Sequence, residues 1–287
     1  MPTFYLPSRH YFNHKLMKII KKIVLFILKI LLVLICYYAT QLLVLGTKGL
    51  ISKDYKTFRI LFQLLIFPIC YLWVNYLSRK WKENLPFVNN KKSVILKILI
   101  SILIIILFYA CYLAYLNIFY SANFIFVTYN NYPFYNLFLT ILTLFALAAA
   151  EEILFRKLIL NLTLTVTKNV YLVASLNGII FLLSHFYSFL SGEFEYLWAI
   201  GVFSIAIFLS IYVLIYKDLV FPVFFHSLFN LSTSLTIEYD KYKIITFKDY
   251  EKHEYIINES SMYILAIFLM ILTFLMIYKN RKSIVLQ

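Results

Sequence analysis

The chain has 287 residues, 63% of them hydrophobic and 14% charged, with a mean hydropathy of +0.83. Soluble globular chains run at about 45–50% apolar and about 25% charged, and no soluble core of this size hides so much apolar surface. A soluble enzyme, a disordered chain and a small disulfide-stapled domain are excluded. The net charge of +14 fits basic loops lying against anionic headgroups rather than nucleic-acid binding.

A bilayer is crossed by about 20 mostly apolar helical residues. Reading between charges predicts eight such spans, roughly 23–45, 59–78, 95–117, 134–158, 170–190, 196–216, 219–237 and 260–278. Spanning segments in lipid must satisfy their own backbone, so the fold class is an all-α, polytopic bundle. The first apolar run is too long for the core of a signal peptide and is expected to remain as an anchor. Before it, His10 and His14 stand beside Lys15 and Lys18 and read as a headgroup-binding lead-in, not a metal pair. Tyr37–Tyr38 and Tyr129–Tyr132 suit the aromatic belt at the headgroups. Pro68 predicts a kink inside the second span. No Lys, Arg, Asp or Glu occurs from Ile98 to Ala150, so Asn117–Pro133 must supply the break between the third and fourth spans. Cys36, Cys70 and Cys111 lie in separate apolar runs with no C-x-x-C pairing and read as small core residues.

Three segments are expected: N-terminal spans at 1–133, a core carrying the polar motifs at 134–237, and an outer loop with the last span at 238–287. The distribution of Lys and Arg places both termini in the cytoplasm, with Arg79, Lys80, Arg156, Lys157, Lys217 and Arg281 inside and Glu238–Glu259 as an outer loop. His253 is expected to be solvated in that loop. Richness in Ile, Lys, Phe, Tyr and Asn points to an AT-rich genome and a bacterial cell membrane.

Charge deep in a bilayer is costly, so an intramembrane ionisable residue is a functional hypothesis. Glu151 and Glu152 sit in LFALAAAEEILFR, His185 ends FLLSH, and His226 opens HSLFN. Glu152 and Arg156 are i and i+4 and can pair on one helix face, far more cheaply than a lone carboxylate. Glu151 is about 100° around the helix and stays available. Phe181 with His185, and His226 with Asn230, repeat the spacing on two other spans. Converging faces would assemble a carboxylate, two imidazoles and an amide, the composition of a hydrolytic site. A Glu can take a proton from water and return it, a His can share that work or bind a metal, and a His N–H and an Asn amide can face an oxyanion. The depth of His185 is less consistent: it lies nearer four turns from the inner end of its span, against about two for Glu151 and His226.

In this order, E-E-x-x-x-R (Glu151, Glu152, Arg156), F-x-x-x-H (Phe181, His185) and H-x-x-x-N (His226, Asn230) resemble the CAAX-protease and bacteriocin-processing family of intramembrane proteases, and in particular the type II CAAX prenyl endopeptidases. The resemblance implies a bundle of about eight helices and hydrolysis of a peptide bond in a membrane-associated protein or peptide. It implies that Glu151 activates water with His185, that Glu152 and Arg156 support it, with Phe181 in the same group, and that His226 and Asn230 stabilise the oxyanion. It leaves open a metal-free site or zinc held by Glu151, His185 and His226. Relatives that act in immunity to bacteriocins keep a second class in view, a non-catalytic immunity protein or sensor partner.

Overall fold

A computed structural model describes residues 9–50, 63–82, 93–121, 124–126, 134–185, 196–236, 245–247 and 250–285. Among them the chain forms eight helical rods, one for each predicted span. These are α1 Arg9–Leu50, α2 Ile66–Trp81, α3 Val94–Tyr120, a compound fourth rod, α6 Val170–Leu183, α7 Tyr196–Tyr216, α8 Val220–Thr236 and α9 Tyr250–Val285. The fourth rod begins as α4 Phe134–Glu152, passes through a π-helical segment Ile153–Ile159, and ends as α5 Leu160–Val166. The protein is an all-α integral membrane protein. Four described helical stretches, Val94–Tyr120, Leu137–Val166, Tyr196–Tyr216 and Ser260–Arg281, are long and apolar enough to cross a bilayer.

The rods share three apolar clusters. Ile30, Val33 and Tyr37 of α1 and Val74 of α2 pack on Phe155 and Leu158, and Phe181 joins them from α6. Phe108, Phe208, Phe225 and Leu265 join α3, α7, α8 and α9. Leu160, Val173 and Leu214 join α5, α6 and α7. Of the four bilayer-length stretches, α7 is the most buried and α3 the least, so α7 is the inner post among them. Gly178 lets α6 lie close to it, since a Cβ there would meet Phe203 at 2.9 Å.

Four boundaries differ from expectation. First, α1 is 42 residues long, roughly 63 Å at 1.5 Å per residue, so the basic lead-in from Arg9 is part of the first helix. Second, α2 starts only at Ile66, within the predicted second span, and Pro68 lies in its first turn, where a missing N–H costs little. Its ring excludes the helical carbonyl four residues back, and the chain turns at Leu64–Leu65, so the break expected from Pro68 falls inside the predicted span. Third, the fourth rod continues past the expected end at 158 to Val166, so Arg156 and Lys157 lie well within the helix rather than at its end. Arg156 is fully buried, and Lys157 Nζ donates to Asn75 Oδ1 at 2.6 Å. Fourth, the expected loop Glu238–Glu259 contains a strand, β2 Ile245–Phe247, and the start of α9.

The break after α3 begins where Ser121 takes a left-handed conformation. Beyond it, β1 Phe124–Phe126 pairs antiparallel with β2, Ile125 opposite Thr246. The side chains of His10, His14 and His253, and all of Tyr129–Tyr132, lie outside the described residues. At the other connection, Pro222 sits in the first turn of α8 and begins that helix. Asp218 Oδ2 accepts from the Phe221 amide and Oδ1 from Lys97 Nζ at 2.8 Å.

Candidate active site

The carboxylate pair sits at the middle of the Leu137–Val166 stretch, directly before the π segment. Small residues Ala148, Ala149 and Ala150 precede it and are all buried, which lets neighbouring helices approach closely. The π segment widens the turn, and the Leu160 amide donates to the Phe155 carbonyl five residues back. That carbonyl also accepts from Asn177 Nδ2 at 2.9 Å. Asn177 Oδ1 in turn accepts from Arg156 Nη1 at 2.8 Å and from Ser210 Oγ at 2.9 Å. One buried amide on α6 thus ties the guanidinium, the π turn and α7 together.

Glu152 and Arg156 are both fully buried, with Oε2 and Nε 3.2 Å apart. This is a close charge contact rather than an aligned hydrogen bond. Arg156 Nε and Nη2 and Glu152 Oε2 have no hydrogen-bond partner among the described residues. Arg156 also lies 5.3 Å above the ring of Phe181. Glu152 Oε1 reaches across to α8 and lies 3.0 Å from His226 Nδ1. An ion-paired carboxylate accepts but cannot donate, so Nδ1 carries the proton in this bond. The other ring nitrogen, Nε2, then faces Glu151 Oε2 at 3.7 Å. The second Glu151 oxygen, Oε1, accepts from Tyr37 Oη at 2.9 Å. Four of the residues singled out in sequence, Glu151, Glu152, Arg156 and His226, are therefore one buried polar cluster.

His185 stands apart from it. The ring lies just past the end of α6, with Nδ1 3.0 Å from the Phe181 carbonyl and its face near Trp198. Phe181 adjoins both imidazoles, 4.9 Å from His185 and 6.1 Å from His226 between ring centroids. No ion pair or hydrogen bond joins His185 to Glu151 among the described contacts. The depth difference between His185 and Glu151 disappears. With the fourth rod extended to Val166, Glu151 and His185 lie equally far along from the Val166–Val170 turn. Asn230 is one turn beyond His226 on α8, half-buried, and its carbonyl accepts from Thr233.

Two participants escape the sequence reading. Tyr37 is not a headgroup-belt residue: it is 4% exposed and bonded to Glu151. Asn177 gives no signal beyond being an amide in an apolar span. Its depth in FLLSH's helix, as a polar group in hydrocarbon, is the cue that would have flagged it. Among the described residues, no three His, Cys, Asp or Glu side chains gather closely enough to hold a metal ion. Glu151 and His226 lie together, while no described contact joins His185 to either of them. Among the described residues, the three-ligand set open to Glu151, His185 and His226 in sequence is not gathered.

A helical membrane protein with a buried carboxylate–imidazole cluster at mid-span is the class that fold and site define. Within it, residues 133–232 match the family model described as Type II CAAX prenyl endopeptidase Rce1-like. The matched domain is roughly a third of the chain and holds every motif residue named above. No curated protein matches the chain.

Proposed function

We propose that the protein is a CAAX-type intramembrane endopeptidase in which Glu151 activates the hydrolytic water. The observation that carries this reading is the pair of unequal carboxylates. Glu152 is neutralised by Arg156 and engaged by His226, whereas Glu151 keeps one oxygen, Oε2, facing an imidazole nitrogen without a hydrogen bond between them. A water molecule between that oxygen and the substrate carbonyl would give its proton to Glu151 as it attacks carbon. The tetrahedral intermediate then collapses, and Glu151 returns the proton to the departing amide nitrogen. His226, held by Glu152 through Nδ1, presents Nε2 toward the reacting centre, and Asn230 shares its helix face. With a proton on each ring nitrogen, the His226 imidazolium keeps its Nδ1–H on Glu152 and donates Nε2–H to the oxyanion, and the Asn230 amide donates beside it. Distances favour His226 over His185 as the imidazole working beside Glu151, and both imidazoles adjoin the Phe181 ring.

The substrate is a membrane-associated protein or peptide, either prenylated at a C-terminal CAAX sequence or an unmodified leader peptide, reached from the cytoplasmic side. Both termini lie in the cytoplasm in this reading. The test is Glu151→Gln in full-length protein reconstituted in phospholipid vesicles, assayed with a farnesylated CAAX peptide and with an unprenylated leader peptide. Loss of at least roughly 100-fold in rate is expected for removal of a general base. Turnover at the wild-type rate would overturn the proposal.

A further inference from the structure

We infer that Tyr37, on α1 and outside the matched domain, is a positioning residue that holds the Glu151 carboxylate in its working orientation. The inference rests on the reading of Glu151 as the base. Tyr37 reaches the site from 114 residues away and donates to Glu151 Oε1 at 2.9 Å. One turn further along α1, Gln41 Nε2 donates to Tyr37 Oη at 2.9 Å. A phenol has a single proton to give. With Gln41 occupying the oxygen from one side, that proton is directed to Glu151.

The consequence is orientational. The last torsion of a Glu side chain is broad and nearly two-fold, so an unheld carboxylate exchanges its oxygens and tilts freely. Fixing Oε1 leaves Oε2 as the oxygen that faces His226 Nε2. A hydroxyl-to-carboxylate bond is charge-assisted and among the stronger side-chain bonds. The frame is rigid as well: the Tyr37 ring packs edge-on against Phe155 of the π segment, 6.2 Å between centroids. Tyr38 anchors the next position, its one hydroxyl proton shared between the Ser184 carbonyl at 2.9 Å and the Leu183 carbonyl at 3.1 Å at the end of α6. The first helix therefore supplies part of the site, and the motif-bearing domain does not complete it alone.

Tyr37→Phe removes the hydroxyl and keeps the ring. In full-length protein in phospholipid vesicles, with whichever of the farnesylated CAAX peptide and the leader peptide the wild type cleaves, kcat is expected to fall about 10- to 100-fold, the span of a hydrogen bond to a charged group. KM should stay within about 2-fold, because the substrate does not touch the phenol. Gln41→Leu, which frees Tyr37 Oη on one side, should lower kcat by a smaller factor, about 2- to 5-fold. Wild-type kcat in Tyr37→Phe, with Glu151→Gln inactive, overturns this inference alone. If Tyr37→Phe does not fold, wild-type kcat in Gln41→Leu overturns it. Activity in Glu151→Gln, or cleavage of neither peptide by the wild type, overturns the reading of the base and this inference with it.

Discussion

Arg156 is the residue around which the buried charges balance. Its guanidinium faces Glu152, Asn177 and the Phe181 ring with no exposed surface. Removing one partner of a buried pair leaves an uncompensated charge, which costs about 3–5 kcal/mol. Arg156→Met should therefore lower the unfolding midpoint sharply in detergent. Arg156→Met combined with Glu152→Gln should recover much of the loss, because both charges then leave together. A double variant less stable than the single would contradict the pairing. Arg156→Lys should not substitute, since one ammonium cannot reach Glu152 and Asn177 in the planar fork that a guanidinium offers. At this scale the sequence is informative about types and spacing: i, i+4 geometry joins Glu152 to Arg156 before any coordinates. It says nothing of Tyr37, because a tyrosine in an apolar helix looks the same facing headgroups or a carboxylate.

The helices carry their own lesson in the π segment Ile153–Ile159. A 3.6-residue period read through LFALAAAEEILFRKLI assumes an uninterrupted α-helix. The widened turn re-aims every side chain after Ile153, and what stabilises it is a carbonyl contact to Asn177 from another helix. Such a tertiary hydrogen bond leaves no local signature. The β1–β2 ribbon is similar: three residues each, FIF and ITF, separated by more than a hundred positions. Their register places Ile125 opposite Thr246. Directly opposed antiparallel residues have Cα atoms about 4.5–5.5 Å apart, within the range a disulfide spans. Ile125→Cys with Thr246→Cys, with the native cysteines Cys36, Cys70 and Cys111 replaced, should crosslink on oxidation. Ile125→Cys with Phe247→Cys, one step out of register, should crosslink much less. Equal yields would refute the register.

For the whole molecule, the ribbon bears on orientation. The breaks after the third and seventh spans fall on the same side of the membrane when both termini share one side, and β1 pairs with β2 across those breaks. A cysteine placed at residue 217 between α7 and α8 should react with an impermeant maleimide from the cytoplasmic side. Cysteines at 125 and 246 should react from the outside, measured singly in intact cells and inverted vesicles. Labelling of 217 and 246 from one side would contradict an even number of spans with cytoplasmic termini.

Composition alone determines that this chain lives in a bilayer, and hydrophobic run length determines roughly where each described rod lies. Both follow from the large transfer free energy of apolar side chains, a local sum that needs no knowledge of neighbours. The same sum isolates Glu151, Glu152, Arg156, His185 and His226, since ionisable residues stand out where nearly everything else is apolar. Tertiary structure decides which of these meet. It extends the fourth rod to Val166, brings His226 rather than His185 to the carboxylates, and delivers Tyr37 to Glu151 from the far end of the chain. Those outcomes depend on how helices rotate and slide against each other to satisfy buried polar groups, which is a property of pairs of rods and is not written in any one of them.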